Sequence, residues 1–300
     1  LVVRTIRAAE RGEFTEALSS LRDQFTFGRK ITLGAINFFQ LLVGLDITDS
    51  ACQTIRFLVT RDGVPEDVLS ALAELIRDDV DMPLVFAQAM KGEYTNCADV
   101  LCDKVRSGEP WVPYLARSLK SGRWFGLMLG YQRYSWQPGA TRALYADAIR
   151  AAIRGDDVEE IVPNPQRGLE ANWAGKIMLR AVLSSLLAYS FQLKDKLLEV
   201  RLTRTVVAVK RFGLEKGGFP PSLEALVPRY LAVVPKDPYA PEQNLGYDVE
   251  KELIWSVGSK GDFNPLTEDV GSIERFNRNL QAYAVRLDGK SPEPRKPATK

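Results

Sequence analysis

Residues 197–258 read LLEVRLTRTVVAVKRFGLEKGGFPPSLEALVPRYLAVVPKDPYAPEQNLGYDVEKELIWSVG, and their order of elements decides the fold. Leu198, Leu202, Val206, Val209 and Phe212 fall at helical spacing, so one apolar face runs through 198–212. Gly217 and Gly218 end that helix, because glycine enters the left-handed conformation of a helix C-terminus without a Cβ clash. Pro220 and Pro221 suit the first turn of a short second helix with Leu223, Leu226 and Val227 inward, and Pro228 closes it. Pro235-Lys236-Asp237-Pro238 is a rigid corner. Tyr247 and Val249 then alternate with polar residues, Glu250-Lys251-Glu252 makes a turn, and Leu253, Trp255 and Val257 alternate again. That is a β-hairpin pattern.

A long helix followed by KGGFPPSLEALVPRYL (216–231), VPKDPY (234–239) and WSVGSKGD (255–262) resembles the soluble half of a type II secretion major pseudopilin. The likeness covers about residues 197–265, and the whole chain resembles extracytoplasmic bacterial proteins that join a helical region to this module. The resemblance implies a small C-terminal α+β module with an antiparallel hairpin, a periplasmic or membrane-tethered location, and other proteins as partners, among them secretion-system or envelope components. It also implies a calcium loop. Here that loop reads GSKGDFNPLTED (258–269), with Lys260 where the family usually carries an acidic residue and Asp262, Glu268 and Asp269 as the available hard oxygen ligands. Read from its residues alone, the same stretch is a polar surface loop, and no other cofactor is expected.

A pseudopilin begins with a membrane-spanning half-helix, whereas here about 200 residues of other sequence precede the module. The apolar run Ala181–Leu193, bounded by Arg180 and Lys194, is too short to span a bilayer. The chain opens at Leu1 without a charged region followed by an apolar one, so any tether would lie in a segment outside this sequence. With a net charge of +2, nothing points to nucleic acid or an anionic membrane as the main partner. Cys52, Cys97 and Cys102 form no CxxC and read as small buried residues.

Residues 1–155 read as successive helices. Phe14, Ala17, Leu18, Leu21 and Phe25 make one apolar stripe, with Gly28 near its end. A second segment over about 32–60 carries Leu33, Ile36, Val43, Ile47, Ala51, Ile55 and Leu58. Pro65 opens a third helix with Val68, Leu69, Leu72, Leu75 and Ile76 inward, and Asp81 with Pro83 starts a fourth. Gly92-Glu93-Tyr94-Thr95 repeats the start Gly12-Glu13-Phe14-Thr15 and resembles the first-helix core of a tetratricopeptide repeat. The separation of 80 residues is not a multiple of that repeat, and two unrelated helix starts of similar composition explain the pattern equally well. The expected architecture is therefore mainly α. It is an irregular layer of helical hairpins, solenoid-like or bundled, over 1–160, then a long spine helix and the α+β module over 161–278, then a polar, disordered tail over 279–300.

Trp111, Tyr114, Arg117, Trp124, Tyr131, Tyr134 and Trp136 crowd into one glycine-rich stretch and are the candidate partner-binding residues. Aromatic rings beside arginines form grooves for peptides, sugars or extended strands, and they equally cover joints between packed layers. The basic series Lys194, Arg201, Arg204 and Arg211 reads as a solvated helix face. The chain has no histidine, which excludes His-based triads, HExxH zinc sites and His general bases. Carboxylate pairs such as Glu74 with Asp78 or Glu159 with Glu160 lie on solvated faces or loops, so no enzymatic activity is expected. The favoured expectation is a non-enzymatic scaffold that binds other proteins. The alternatives are an accessory of type II secretion or pilus-like assembly, and a carbohydrate-binding or carbohydrate-cleaving protein using the 111–136 stretch.

Overall fold

The structure is a computed structural model and describes residues 1–61, 63–76, 80–106, 137–154, 156, 158–162, 172–266 and 283–287. Among them the chain is mainly helical, with eight α-helices, a short 3-10 helix and a three-stranded antiparallel sheet. The helices are α1 (Val2–Glu10), α2 (Phe14–Leu33), α3 (Phe38–Val59), α4 (Glu66–Leu75), α5 (Met82–Arg106), α6 (Pro138–Arg154), α7 (Val158–Ile161) and α8 (Trp173–Lys216). The 3-10 helix is Leu223–Leu226, and the strands are β1 (Gly246–Asp248), β2 (Leu253–Trp255) and β3 (Ala284–Arg286). Contacts divide the chain into two compact units. Leu1–Thr32, Val43–Val80 and Phe191–Lys300 form the first, and Leu33–Leu42 with Asp81–Ser190 the second. The division drawn along the sequence, at 160 and 278, follows composition; the contacts instead group both ends of the chain.

The first unit is built on the C-terminal part of α8. The stripe read from sequence is buried: Leu198, Leu202, Val206 and Val209 are each at most 1% exposed. Val207, Ala208, Thr203 and Thr205 are buried as well, so most of the circumference is covered. The cover comes from two sources, because one core cluster joins these residues to Leu21, Ile55, Leu58 and Leu72 of α2–α4 and to Leu226, Leu245, Ile254 and Leu287 of the C-terminal module. Each such aliphatic side chain contributes about 1.5–3 kcal/mol by leaving water. The two buried threonines solve their polar problem locally, Thr203 Oγ1 donating to the Glu199 carbonyl at 2.8 Å and Thr205 Oγ1 to that of Arg201 at 2.7 Å.

Helices α2 and α3 meet through small residues. A Cβ on Gly28 would stand 2.8 Å from Thr48 Oγ1, and one on Gly44 would stand 2.6 Å from the Thr32 nitrogen, so only glycine permits this approach. Gly28 therefore lies inside α2, which continues to Leu33, and the segment expected over 32–60 begins instead at Phe38. The break is an N-cap: Asn37 Oδ1 accepts the Gln40 N–H at 2.9 Å, and Gln40 Oε1 reaches back to the Ile36 N–H at 3.1 Å. Leu33 and Ile36 flank it and are 48% and 66% exposed rather than buried.

The hairpin forms as expected, Tyr247 facing Ile254 across β1 and β2. Two readings change. Ile254, not Leu253 or Trp255, joins the main core, while Leu253 and Trp255 turn to the opposite side and close over Phe263 and Ala284. Ala284–Arg286, expected in a disordered tail, forms β3, pairing antiparallel with β2 and covering its second edge. Gly246 stands opposite Trp255, whose indole lies where a Gly246 side chain would go.

In the second unit α5 packs on α6 and α6 on α7. Asp81 caps α5 through Oδ1 to the Leu84 N–H at 3.0 Å, as its sequence predicts. Gly92, expected to open a helix, is interior to α5. Its missing side chain makes room for the Ile36 carbonyl, so the repeat-like start at 92 reflects a close approach and not a helix end. Tyr94 stacks on the buried Tyr145 with ring centroids 5.4 Å apart. Asn172, at φ 58, turns the chain into α8 while its Oδ1 accepts the Thr141 hydroxyl at 2.8 Å and the Gln137 N–H at 3.1 Å.

Candidate functional site

Trp111, Tyr114, Arg117, Trp124, Tyr131, Tyr134 and Trp136 lie outside the described residues, as do Glu268 and Asp269. Asp262 is exposed, in a loop pinned from within by Phe263, which is 1% exposed and whose N–H donates to the Val257 carbonyl at 2.9 Å. Among the described residues no cluster of three His, Cys, Asp or Glu side chains is placed to hold a metal. No helix of the described residues is long and apolar enough to cross a membrane.

The basic series on α8 is only partly a solvated face. Arg201 Nη1 donates to the Lys236 carbonyl at 2.6 Å, and Lys194 lies 5.8 Å from the Tyr239 ring centre. These contacts hold the corner at 235–238 against the helix. Tyr239 adds a short hydrogen bond to Asp195, and burial together with that carboxylate pushes its phenol well above the usual range. Inside the corner Asp237 is 1% exposed, and its carboxylate accepts from the Ser256 hydroxyl, the Val257 N–H and the Tyr239 N–H, each at 2.8 Å.

On a different face, Lys196, Glu199 and Thr203 meet α3. Lys196 Nζ lies 2.7 Å from Asp49 and 2.9 Å from Asp46, and Arg56 Nη1 lies 2.8 Å from Thr203 Oγ1 and 2.5 Å from Glu199 Oε2. Burial opposes the Lys196 charge, but the bonds to Asp49 and Asp46 outweigh it and raise its pKa. Burial pushes the Glu199 carboxyl up, with Arg56 opposing. Cys52 sits beside this network, wholly buried and free, its thiol pushed up to about 12 chiefly by desolvation. It is inert by that measure, since reactivity requires the thiolate. The network locks two helices together and offers little to a ligand.

Among the described residues, a cleft open to a ligand lies where α3 ends and α8 ends. The turn after α3 (Thr60, Arg61, Gly63, Val64), Leu69 of α4, and Lys210, Gly213, Leu214 and Gly217–Phe219 enclose a cleft of about 320 Å³. Val59, Val64 and Leu69 give it an apolar wall. Two cations stand at it, each stacked on a ring: Arg61 lies 4.2 Å from the Phe57 centroid and Lys210 lies 5.9 Å from that of Phe219. Neither has a carboxylate partner among the described residues. Gly63 and Gly217 take positive φ, 75° and 78°, which explains those two glycines by the turns they make. Gly213 is different. It is helical, and an added Cβ would meet only the Gly218 carbonyl, at 3.8 Å, an ordinary contact. Glycine in a helix costs up to about 1 kcal/mol against alanine, and no packing demand at 213 offsets that. The sequence shows the Gly-Gly-Phe turn but not the cleft, because Arg61 and Val64 come from a segment about 150 residues away. Compared with protein families, with curated proteins and with solved structures, the chain finds no match.

Proposed function

We propose that this chain is a protein-binding scaffold of the cell envelope whose C-terminal part is a pseudopilin-like module. The observation that carries the reading is the element order itself. A long helix ends at Gly217, a 3-10 turn at 223–226 follows, a proline-bounded corner is clamped by Asp237, and an antiparallel sheet lies over the same helix. That order supports the reading, since a pseudopilin-like module implies the same succession of long helix, proline turn and small antiparallel sheet. The cleft adds the chemistry of binding: two cations, an apolar wall and a rim that includes Leu214, 58% exposed. An accessory role in type II secretion or a pilus-like assembly is the same reading narrowed to one partner class.

The test is capture with the full chain as bait from cross-linked envelope fractions, followed by titration of each captured protein, purified, against the purified chain. Saturable micromolar binding of an envelope protein supports the scaffold, and a secretion-system component among them selects the accessory role. Titrations that never saturate for any captured protein overturn both. Protease protection in intact cells, lost on opening the outer membrane, is the expected result for the location; protection that persists until the inner membrane is lysed overturns it.

A further inference from the structure

We propose that the cleft between the α3–α4 turn and the end of α8 holds an acidic peptide segment of a protein partner, its carboxylate against Arg61 and Lys210 and an adjoining aliphatic side chain on the Val64–Leu69 wall. The inference rests on the protein-binding reading above and names its site.

Three independent features converge there. The first is charge. Arg61 and Lys210 both border this cleft, and among the described residues each rests on an aromatic ring without a carboxylate partner; Lys194 and Arg211 of the same unit likewise rest on rings, while Arg4, Arg56, Lys196 and Arg229 pair with Glu16, Glu199, Asp49 and Glu215. A cation stacked on a ring keeps its orientation and leaves N–H donors at its edge for a carboxylate. The second is size. About 320 Å³ lies at the lower end of the range of small-ligand sites, enough for one or two side chains of an extended segment. The third is Gly213, whose missing side chain answers to no steric demand and leaves the cleft unfilled.

Helix polarity supplies the competing account, in which Arg61 and Lys210 only balance the negative C-terminal ends of α3 and α8. The two accounts separate experimentally. The probe is a fluorescein-labelled hexapeptide, Gly-Ala-Leu-Glu-Leu-Gly with an amidated end, and its Gln twin, read by fluorescence polarisation against the full chain at low salt. The peptide should bind saturably, the twin at least about tenfold more weakly, as expected for loss of a charged hydrogen-bonded contact. Lys210→Glu and Arg61→Glu should each weaken it by a similar factor. Gly213→Leu should abolish binding while the melting temperature holds or rises. Gly218→Leu, at a position where an added Cβ meets nothing within 4 Å, should do the same if the first variant folds poorly.

No saturation up to millimolar peptide, or equal binding of the Gln twin, overturns the proposal. So does binding unchanged in the filled variants. Inorganic phosphate displacing the peptide at equal concentration would make this a general anion site and would also overturn it. A captured partner that binds the Gly213→Leu chain normally removes the cleft and leaves the scaffold reading intact; peptide binding without any partner removes the scaffold reading alone.

Discussion

Asp237 Oδ1 accepts the Ser256 hydroxyl at 2.8 Å inside a corner where the carboxylate is 1% exposed, and its second oxygen accepts the Val257 N–H. One buried carboxylate thus ties the proline corner to the end of β2, and its partners among the described residues are N–H and O–H donors.

Replacing Asp237 by Ala should therefore cost about 3 kcal/mol, because the Ser256 hydroxyl and the Val257 N–H lose their acceptor while buried. Asp237→Asn, which keeps one acceptor oxygen, should cost less. Urea unfolding followed by Trp fluorescence checks both, and a loss under about 0.5 kcal/mol for the Ala variant would contradict the assigned role.

Arg56 and Glu199 are 16% and 21% exposed at their side chains, so their pairing lies close to the buried limit. Arg56→Leu alone should destabilise by about 3 kcal/mol by stranding the Glu199 carboxylate, whereas Arg56→Leu with Glu199→Leu should recover most of the loss. A double-mutant cycle measures the coupling, and additive costs would refute it.

Cys52 sets a pH dependence. Its folded-state pKa of about 12 exceeds the value of about 8.5 for an unfolded thiol, so the folded chain holds the proton more tightly. Its contribution is complete below about pH 8.5 and falls by about 1.4 kcal/mol per pH unit as pH climbs towards the folded value. The stability gap between the wild type and Cys52→Ala should therefore shrink over that window. The raised Lys196, Tyr239 and Tyr247 groups act with the same sign in both proteins and cancel in the difference.

Gly92→Ala should cost about 2–3 kcal/mol, since the new methyl would overlap the Ile36 carbonyl and the backbones must part. Gly218→Ala, facing open space, should stay within about 0.5 kcal/mol of wild type. Equal melting temperatures for the two variants would contradict the close approach at 92.

Local patterns carried over well. The 198–212 stripe, the end at Gly217, the hairpin across 246–255 and the cap at Asp81 each depend on neighbours within a few residues. The Asn37–Gln40 cap was equally local, but apolar Leu33 and Ile36 on either side masked it as a continuous stripe. What could not be read depends on distant partners. Lys196 meets Asp49 and Arg56 meets Thr203 across 147 residues of chain, and nothing at either position marks the other. Asp237 looked like a turn former because its acceptors' donors lie about twenty residues on. Gly92 looked like a helix start because a close approach and a helix end both demand glycine.

The shared core of the first unit carries a consequence for biosynthesis. Ala8 and Leu21 pack in the same cluster as Leu198, Ile254 and Leu287, so α1 and α2 lack their final packing partners until synthesis has passed Leu287, more than 250 residues later. During that interval their apolar stripes are open to chaperones or proteases. Stop codons placed well after α4 should therefore yield aggregation-prone products and not a shorter stable protein.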